Sequence, residues 1–156
     1  MVDANAGKLA RWLRMMGYDA VFFANGEDAE MISRALKENR ILITRDSHIA
    51  ERWVATSGRL RVVLLESDQP EKQIRQVISE LGLDSHFEPF SRCLECNQPL
   101  EAREKEAVKT KVPPYVYRIQ TSFLECPACG RVYWRGTHWE AMRRRLEKFF
   151  TVDHQH

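Results

Sequence analysis

The four cysteines of this chain stand in two Cys-x-x-Cys pairs, Cys93/Cys96 and Cys126/Cys129, with none left over. Two residues between paired thiolates aim both sulfurs at one ion, and a tetrahedral zinc takes four such ligands at about 2.3 Å. The spacing therefore predicts one structural zinc site. Two disulfides, or a redox Cys-x-x-Cys, are the weaker alternatives: the N-terminus has no secretion signal, and two matched pairs exceed what thiol exchange needs. The stretch between the pairs, 97–125, is longer than the commonest spacing of about 15 to 20 residues. Two knuckles capping two hairpins, joined by an extended excursion through Val112-Pro113-Pro114-Tyr115, account for it.

The second chemical group is acidic. Asp3, Asp28 and Asp46 each fall where a strand ends or the following helix begins. In open parallel sheets, ligands bind beyond the carboxyl ends of the strands. Two carboxylates about 4 Å apart repel by about 1 kcal/mol in water and about 4 kcal/mol at an effective dielectric near 20, so a cluster needs a cation. Magnesium or manganese suits carboxylates, water and a phosphate oxygen. Taken singly, Asp28 and Asp46 read as helix N-caps. Asp3, closing a buried strand, is harder to desolvate without a partner.

Hydrophobic periodicity gives the elements that must position these residues. Leu9, Trp12, Leu13 and Met16 have helical spacing, and Gly17 ends that helix. An apolar stretch Ala20–Phe23 follows, then a helix Asp28–Lys37, a strand Arg40–Thr44, a helical segment 47–55 and a strand Leu60–Leu65. Pro70 opens and Gly82 stops a helix Pro70–Leu81. Strand and helix alternating over 1–83 predict an α/β domain, a parallel sheet with right-handed crossovers and helices on both faces. Met1-Val2 is a short lead into Asp3, which leaves room for a first strand that starts upstream. A linker at 84–92 carries Pro89, and a metal unit with its terminal helix occupies 93–150, ahead of a tail at 151–156. Within that unit the ribbon runs from 93 to 135. The helix Trp139–Phe150 places Met142, Leu146, Phe149 and Phe150 on one side and Arg143, Arg144 and Arg145 around the other.

Hydrophobic content of 44% and 29% charged residues in a chain of 156 describe a globular protein. No apolar run approaches the length of about 20 residues that a membrane span needs, so a cytoplasmic location is expected. Net charge is only +2, but positive residues concentrate locally. Lys8, Arg11 and Arg14 recur every three residues and form a stripe near Asp3 that suits a nucleic-acid backbone, with the helix N-terminal amides beside it. Asn5 is placed to contact phosphate or metal-bound water. In the ribbon, Tyr115, Tyr117, Tyr133 and Trp134 near Arg118, Arg131 and Arg135 suit stacking of unpaired bases. The bland counterparts are a solvated helix face and the aromatic core of a small zinc module. His138 reads as capping or packing the last helix, His48 as a helix-surface residue, and His154 and His156 as parts of the tail.

Asp3-Ala4-Asn5-Ala6-Gly7-Lys8-Leu9-Ala10-Arg11-Trp12-Leu13-Arg14, Thr44-Arg45-Asp46, the cysteine pairs and Val132-Tyr133-Trp134-Arg135-Gly136-Thr137-His138-Trp139 occur in this order. In that combination the chain resembles the Mut-seven C-terminal RNase domain family. The resemblance implies a PIN-like nuclease fold, an acidic magnesium or manganese site at the carboxyl edge of the sheet, and an appended zinc ribbon whose ion is structural. It implies RNA, single-stranded, as substrate. By motif position Asp3 matches the first-strand acid, Asp28 the acid before the second helix and Asp46 the acid of the Thr-Arg-Asp turn, where Arg45 joins the nucleic-acid contacts. Many PIN-like nucleases carry a fourth acid just beyond; here Ser47-His48 follows, which leaves Glu30 or Asp68 to complete the set. Two other readings compete: a non-catalytic RNA-binding module that keeps the fold, and a phosphoryl-transfer domain using a strand-end aspartate.

Overall fold

The computed structural model describes residues 1–84 and 88–151. The middle of the expected linker, 85–87, and the tail beyond Thr151, with His154 and His156, lie outside the described residues. The chain divides into two compact units: Met1–Leu13 with Ala20–Asp84, and Arg14–Asp19 with the residues from Ser85 onward.

The first unit alternates strand and helix. β1 (Val2–Asp3) passes through a 3₁₀ turn, Ala4–Ala6, into α1 (Gly7–Met15). Leu9, Ala10 and Leu13 are buried at helical spacing while Lys8 and Arg11 face solvent, so one stripe holds the helix down. Gly17 lets the chain leave α1 through a left-handed turn, at φ +94°. β2 (Phe22–Phe23), α2 (Asp28–Lys37) and β3 (Leu42–Thr44) follow. The expected single helix at 47–55 is instead two, α3 (Ser47–Glu51) and α4 (Trp53–Thr56). Arg52, with extended backbone at φ −64° and ψ 146°, separates them, its N–H bonding Ile49 and its carbonyl receiving Ala55. β4 (Val62–Leu64) and α5 (Pro70–Leu81) complete the unit. Pro70 needs no N–H partner in the first turn, and Gly82, at φ 62°, returns its own N–H to Ile78.

The four strands are parallel in the order β2-β1-β3-β4. Val2 pairs with Phe22 on one side and Ile43 on the other, so β1 is central although it is two residues long. All three residues of β3 are buried, the signature of a strand covered on both faces. Met31, Ile32, Ala35, Leu42, Ile49 and Leu60 form one apolar cluster that ties α2 and α3 to the sheet. Each large side chain so buried contributes about 1.5–3 kcal/mol.

The second unit is an antiparallel ribbon, β5 (Glu101–Arg103), β6 (Phe123–Glu125) and β7 (Val132–Tyr133) in the order β5-β6-β7. Glu101 lies directly opposite Glu125, a repulsive cross-strand pair. Arg103 offsets it by binding Glu101 at 2.7 Å and Glu125 at 3.0 Å, and Lys111 adds a second ion pair to the buried Glu125. The excursion between the knuckles is not extended throughout, as the prolines suggested. It forms a 3₁₀ turn, Lys105–Val108, and a helix α6 (Pro114–Ile119). Pro114 is the first helical residue, and Val108, Val112 and Val116 bury against Phe123 to form the unit's small core. α7 (Thr137–Phe150) buries Trp139, Leu146 and Phe149 and exposes Arg143, Arg144 and Arg145. No helix among the described residues is long and apolar enough to cross a membrane.

Candidate active site and metal centre

Because all four strands of the first unit run the same way, the residues that follow them collect at one edge. The strand order reverses between β1 and β3, where consecutive crossovers diverge; in open parallel sheets the ligand crevice forms at the carboxyl ends of such a point. Asp3 ends β1 and Thr44 ends β3 on the two sides of that point. The Thr44 hydroxyl donates to Asp3 Oδ2 at 2.7 Å and accepts the Asp46 N–H at 3.0 Å. Thr44 is fully buried, so its single hydroxyl fixes both acids from below. Asn5 Nδ2 donates to Asp3 Oδ2 at 3.3 Å, and its Oδ1 accepts the Arg45 N–H at 3.3 Å. Asp3 Oδ1 also accepts the Ala4 N–H at 2.7 Å. Six residues from two strand ends, Asp3, Ala4, Asn5, Thr44, Arg45 and Asp46, are thus joined in one hydrogen-bonded set.

The three acids differ within this edge. Asp46 caps α3 through Oδ1, which accepts the His48 N–H at 2.9 Å, while Oδ2 accepts no hydrogen bond from the described residues. Asp28 does not cap α2; Glu27 holds that position without a side-chain bond, and Asp28 is the first helical residue. Its half-buried carboxylate has no hydrogen bond or ion pair among the described residues. β2 lies next to β1, so Asp28 follows the strand that neighbours Asp3. Glu30, two residues further along α2, projects about 200° around the helix from Asp28 and lies against Gly26. Asp68 is exposed in the loop after β4, where the Ser67 hydroxyl, not Asp68, accepts the Gln69 N–H. Asp3, Asp28 and Asp46 are not among the groups of three or more ligands drawn within reach of one ion in the described residues.

The predicted basic stripe separates into two kinds of residue. Lys8, Arg11 and Arg45 are exposed. Arg14 is not part of an open stripe: it is buried and donates to the Leu94 carbonyl at 2.8 Å and the Glu95 carbonyl at 3.2 Å. A guanidinium can satisfy several carbonyls of a tight turn at once, which explains its burial there. Arg131 and Arg135 are exposed, the latter lying over the Trp139 ring at 5.1 Å. His48 is a surface residue, as expected. His138 sits exposed in the first turn of α7, whose cap is Gly136.

The cysteines form the second centre. One sulfur from each of Cys93, Cys96, Cys126 and Cys129 lies within 4.8 Å of the others. All four are free thiols, and Cys93 Sγ is 3.7 Å from Cys129 Sγ, far beyond the 2.05 Å of a disulfide. Sulfurs bound at 2.3 Å to one tetrahedral ion lie about 3.8 Å apart. The two knuckles share one backbone design. The N–H of Cys93 bonds Gln98 and that of Asn97 bonds Cys93; the N–H of Cys126 bonds Arg131 and that of Gly130 bonds Cys126. Asn97 and Gly130 each close their turn in the left-handed region, at φ 65° and 76°, a conformation that asparagine and glycine tolerate.

Burial raises the Cys93 thiol, but hydrogen bonds from the Tyr133 hydroxyl at 3.2 Å and from the Cys96 and Glu95 amides outweigh it and bring the group down to about 7. Its hydrogen bond with Cys129, then burial and the nearby sulfurs, push Cys96 up to about 12. Four thiolates this close repel one another without a cation, and soft sulfur donors in this number fit zinc.

Two functional residues escaped the sequence reading. Thr44 was visible only as part of a motif, and nothing in one strand announces a hydroxyl shared between acids of two. The aromatic spacing suggests Tyr133 for stacking, whereas in the structure its hydroxyl bonds the Cys93 sulfur at 3.2 Å and accepts the Leu94 N–H at 3.2 Å.

Comparison with curated proteins gave no match, and comparison with solved structures gave none. The sequence model of the Mut7-C RNAse domain matches residues 1–146, nearly the whole chain. With its parallel sheet, its acids at the carboxyl edge and its four clustered cysteines, the chain belongs to the Mut7-C RNAse domain family.

Proposed function

We propose that this chain is a metal-dependent ribonuclease that hydrolyses phosphodiester bonds of single-stranded RNA. Asp3, Asp28 and Asp46 are its acidic set, with Asp68 a better fourth member than Glu30. The observation that carries the reading is the buried Thr44 hydroxyl, which restrains Asp3 and Asp46 at the switch point of the sheet in a chain of an RNase family. Magnesium needs only one or two carboxylates when water and substrate phosphate complete its shell, so a full three-carboxylate cage is not required of this edge. When bound, magnesium or manganese supplies Lewis-acid charge and a water of lowered pKa.

The protein's own groups have definable tasks. Asp46 Oδ2 and the unpartnered Asp28 carboxylate offer oxygens to the cation, while Asp3 holds its place through Thr44, Asn5 and the Ala4 amide. Lys8 and Arg11 neutralise phosphates along α1, and Asn5 and Arg45 contact the phosphate nearest the acids. The four cysteines hold zinc for structure alone. A reducing compartment such as the cytoplasm keeps these thiols available to the ion.

The test is cleavage of end-labelled single-stranded RNA by the zinc-loaded chain with manganese or magnesium. Asp46→Asn should abolish cleavage with zinc content unchanged, and equal activity in variant and wild type would remove Asp46 from the mechanism. A second reading, an RNA-binding module without catalysis, is favoured by the absence, among the described residues, of a three-carboxylate group close enough to share one ion. It predicts tight RNA binding with no cleavage in either metal.

A further inference from the structure

The second unit contains a cleft that the acidic site does not use. Tyr115 of α6, Trp134 after β7, and Thr137 and His138 of α7 line it over a floor of Phe90 and Tyr133, enclosing about 280 Å³. That volume is at the bottom of the range for small-ligand sites, suited to one flat ring system. Tyr115 is 59% exposed and makes no ring contact among the described residues. The floor is rigid. Phe90 packs on Tyr133 at 5.4 Å and Trp139 at 5.9 Å between ring centroids, and its backbone sits in the left-handed region at φ 62°. Gly136 leaves room for the Trp134 indole: a Cβ there would lie 3.0 Å from Trp134 Nε1 and 3.2 Å from Cδ1.

A second hollow, of about 420 Å³, adjoins the first at Gly136 and Thr137, which line both. Arg135 and Arg144 border it, with Glu140 the acid in its lining. Arg135, one of its lining residues, lies over the Trp139 ring at 5.1 Å, which holds that cation in place. α7 has Gly136 as its N-cap and no side-chain cap bond, so the amides of this 14-residue helix add positive potential to the same hollow. An aromatic slot adjoining a cationic hollow matches the two halves of a nucleotide.

We propose that these hollows bind one nucleotide of single-stranded RNA, its base against Tyr115 and Trp134 and its phosphate toward Arg135 and Arg144. The identity of the polymer rests on the ribonuclease reading; the recognition of a base and its phosphate rests on the cleft.

Fluorescence anisotropy of the zinc-loaded full chain, without added divalent ions, tests this with a labelled short RNA and with counterparts abasic at one position. Wild type should lose affinity for an abasic strand. Tyr115→Ala should weaken the intact strand about 5- to 150-fold and remove the abasic penalty. Gly136→Ala should act the same way by displacing the Trp134 ring. Arg144→Gln should weaken intact and abasic strands alike and reduce the log–log salt slope by about 0.7. Unchanged affinity in Tyr115→Ala would overturn the subsite, and failure of wild type to bind single strands would overturn it too. Manganese-dependent cleavage of the same strand reads the ribonuclease assignment separately. Cleavage without an abasic penalty in binding refutes the subsite alone, and an abasic penalty without cleavage refutes the nuclease alone.

Discussion

Replacing Thr44 by valine removes one oxygen and leaves the shape of a buried side chain almost unchanged. That oxygen donates to a carboxylate at 2.7 Å and accepts an amide at 3.0 Å. A hydrogen bond to a charged group contributes about 1.5–3 kcal/mol and a neutral one about 0.5–1.5 kcal/mol. Asp3 is half-buried, so water recovers part of the loss, and a net destabilisation of about 2 kcal/mol is expected. With an m-value near 2 kcal/mol per M, the urea midpoint of this unit should fall by about 1 M. Thr44→Ser supplies the control: it keeps both hydrogen bonds and deletes one buried methyl, a loss of about 1 kcal/mol. Cleavage separates the effects further, because only valine frees the two acids. Thr44→Val should lower kcat/KM at least tenfold, equivalent to about 1.4 kcal/mol of transition-state stabilisation, while Thr44→Ser stays near wild type. If serine lowers stability and activity more than valine, burial of the methyl governs the site and the hydroxyl bridge has no role in catalysis.

Other perturbations address the remaining parts. Arg14→Met keeps the aliphatic stem but abandons the Leu94 and Glu95 carbonyls. It should destabilise the zinc unit by about 1–3 kcal/mol and speed zinc loss to a chelator, with the salt slope of RNA binding unchanged. Lys111 first, and Arg103 with it, hold the Glu125 carboxyl below its ordinary range against the opposing effect of burial. Its folded pKa therefore lies below the unfolded value of 4.5, so its contribution is complete above that value and is lost as pH falls through the folded one. Glu125→Gln should flatten this acid limb in urea titrations of the ribbon. Cys126→Ser should abolish stoichiometric zinc and the near-ultraviolet dichroism of the ribbon, and wild-type zinc affinity should fall with pH as protons compete for the thiolates.

Much of the fold was legible because local signals agreed with the tertiary demand. Asp28–Lys37 and Pro70–Leu81 carry both an apolar stripe and marked ends, and the run Ile41-Leu42-Ile43-Thr44 could only be a covered strand. Periodicity did not reveal the break at Arg52, where both flanking turns satisfy their own hydrogen bonds. α6 was hidden because two prolines suggest extension, although Val108, Val112 and Val116 spell out the buried face. Arg14 illustrates the larger limit. Its spacing with Lys8 and Arg11 describes one helix surface, but its partners are 80 and 81 residues away in sequence. At the acidic edge, residue types and order were readable, whereas Thr44 required knowing that β1 and β3 are neighbours.

The central claim, that the carboxyl edge of the parallel sheet holds a catalytic divalent ion, is tested most directly by anomalous diffraction from crystals of the zinc-loaded chain soaked in manganese. The account predicts a manganese peak about 2.0–2.3 Å from oxygens of at least two of Asp3, Asp28 and Asp46, lost in Asp46→Asn crystals. Zinc at the cysteines with no manganese at that edge would contradict it.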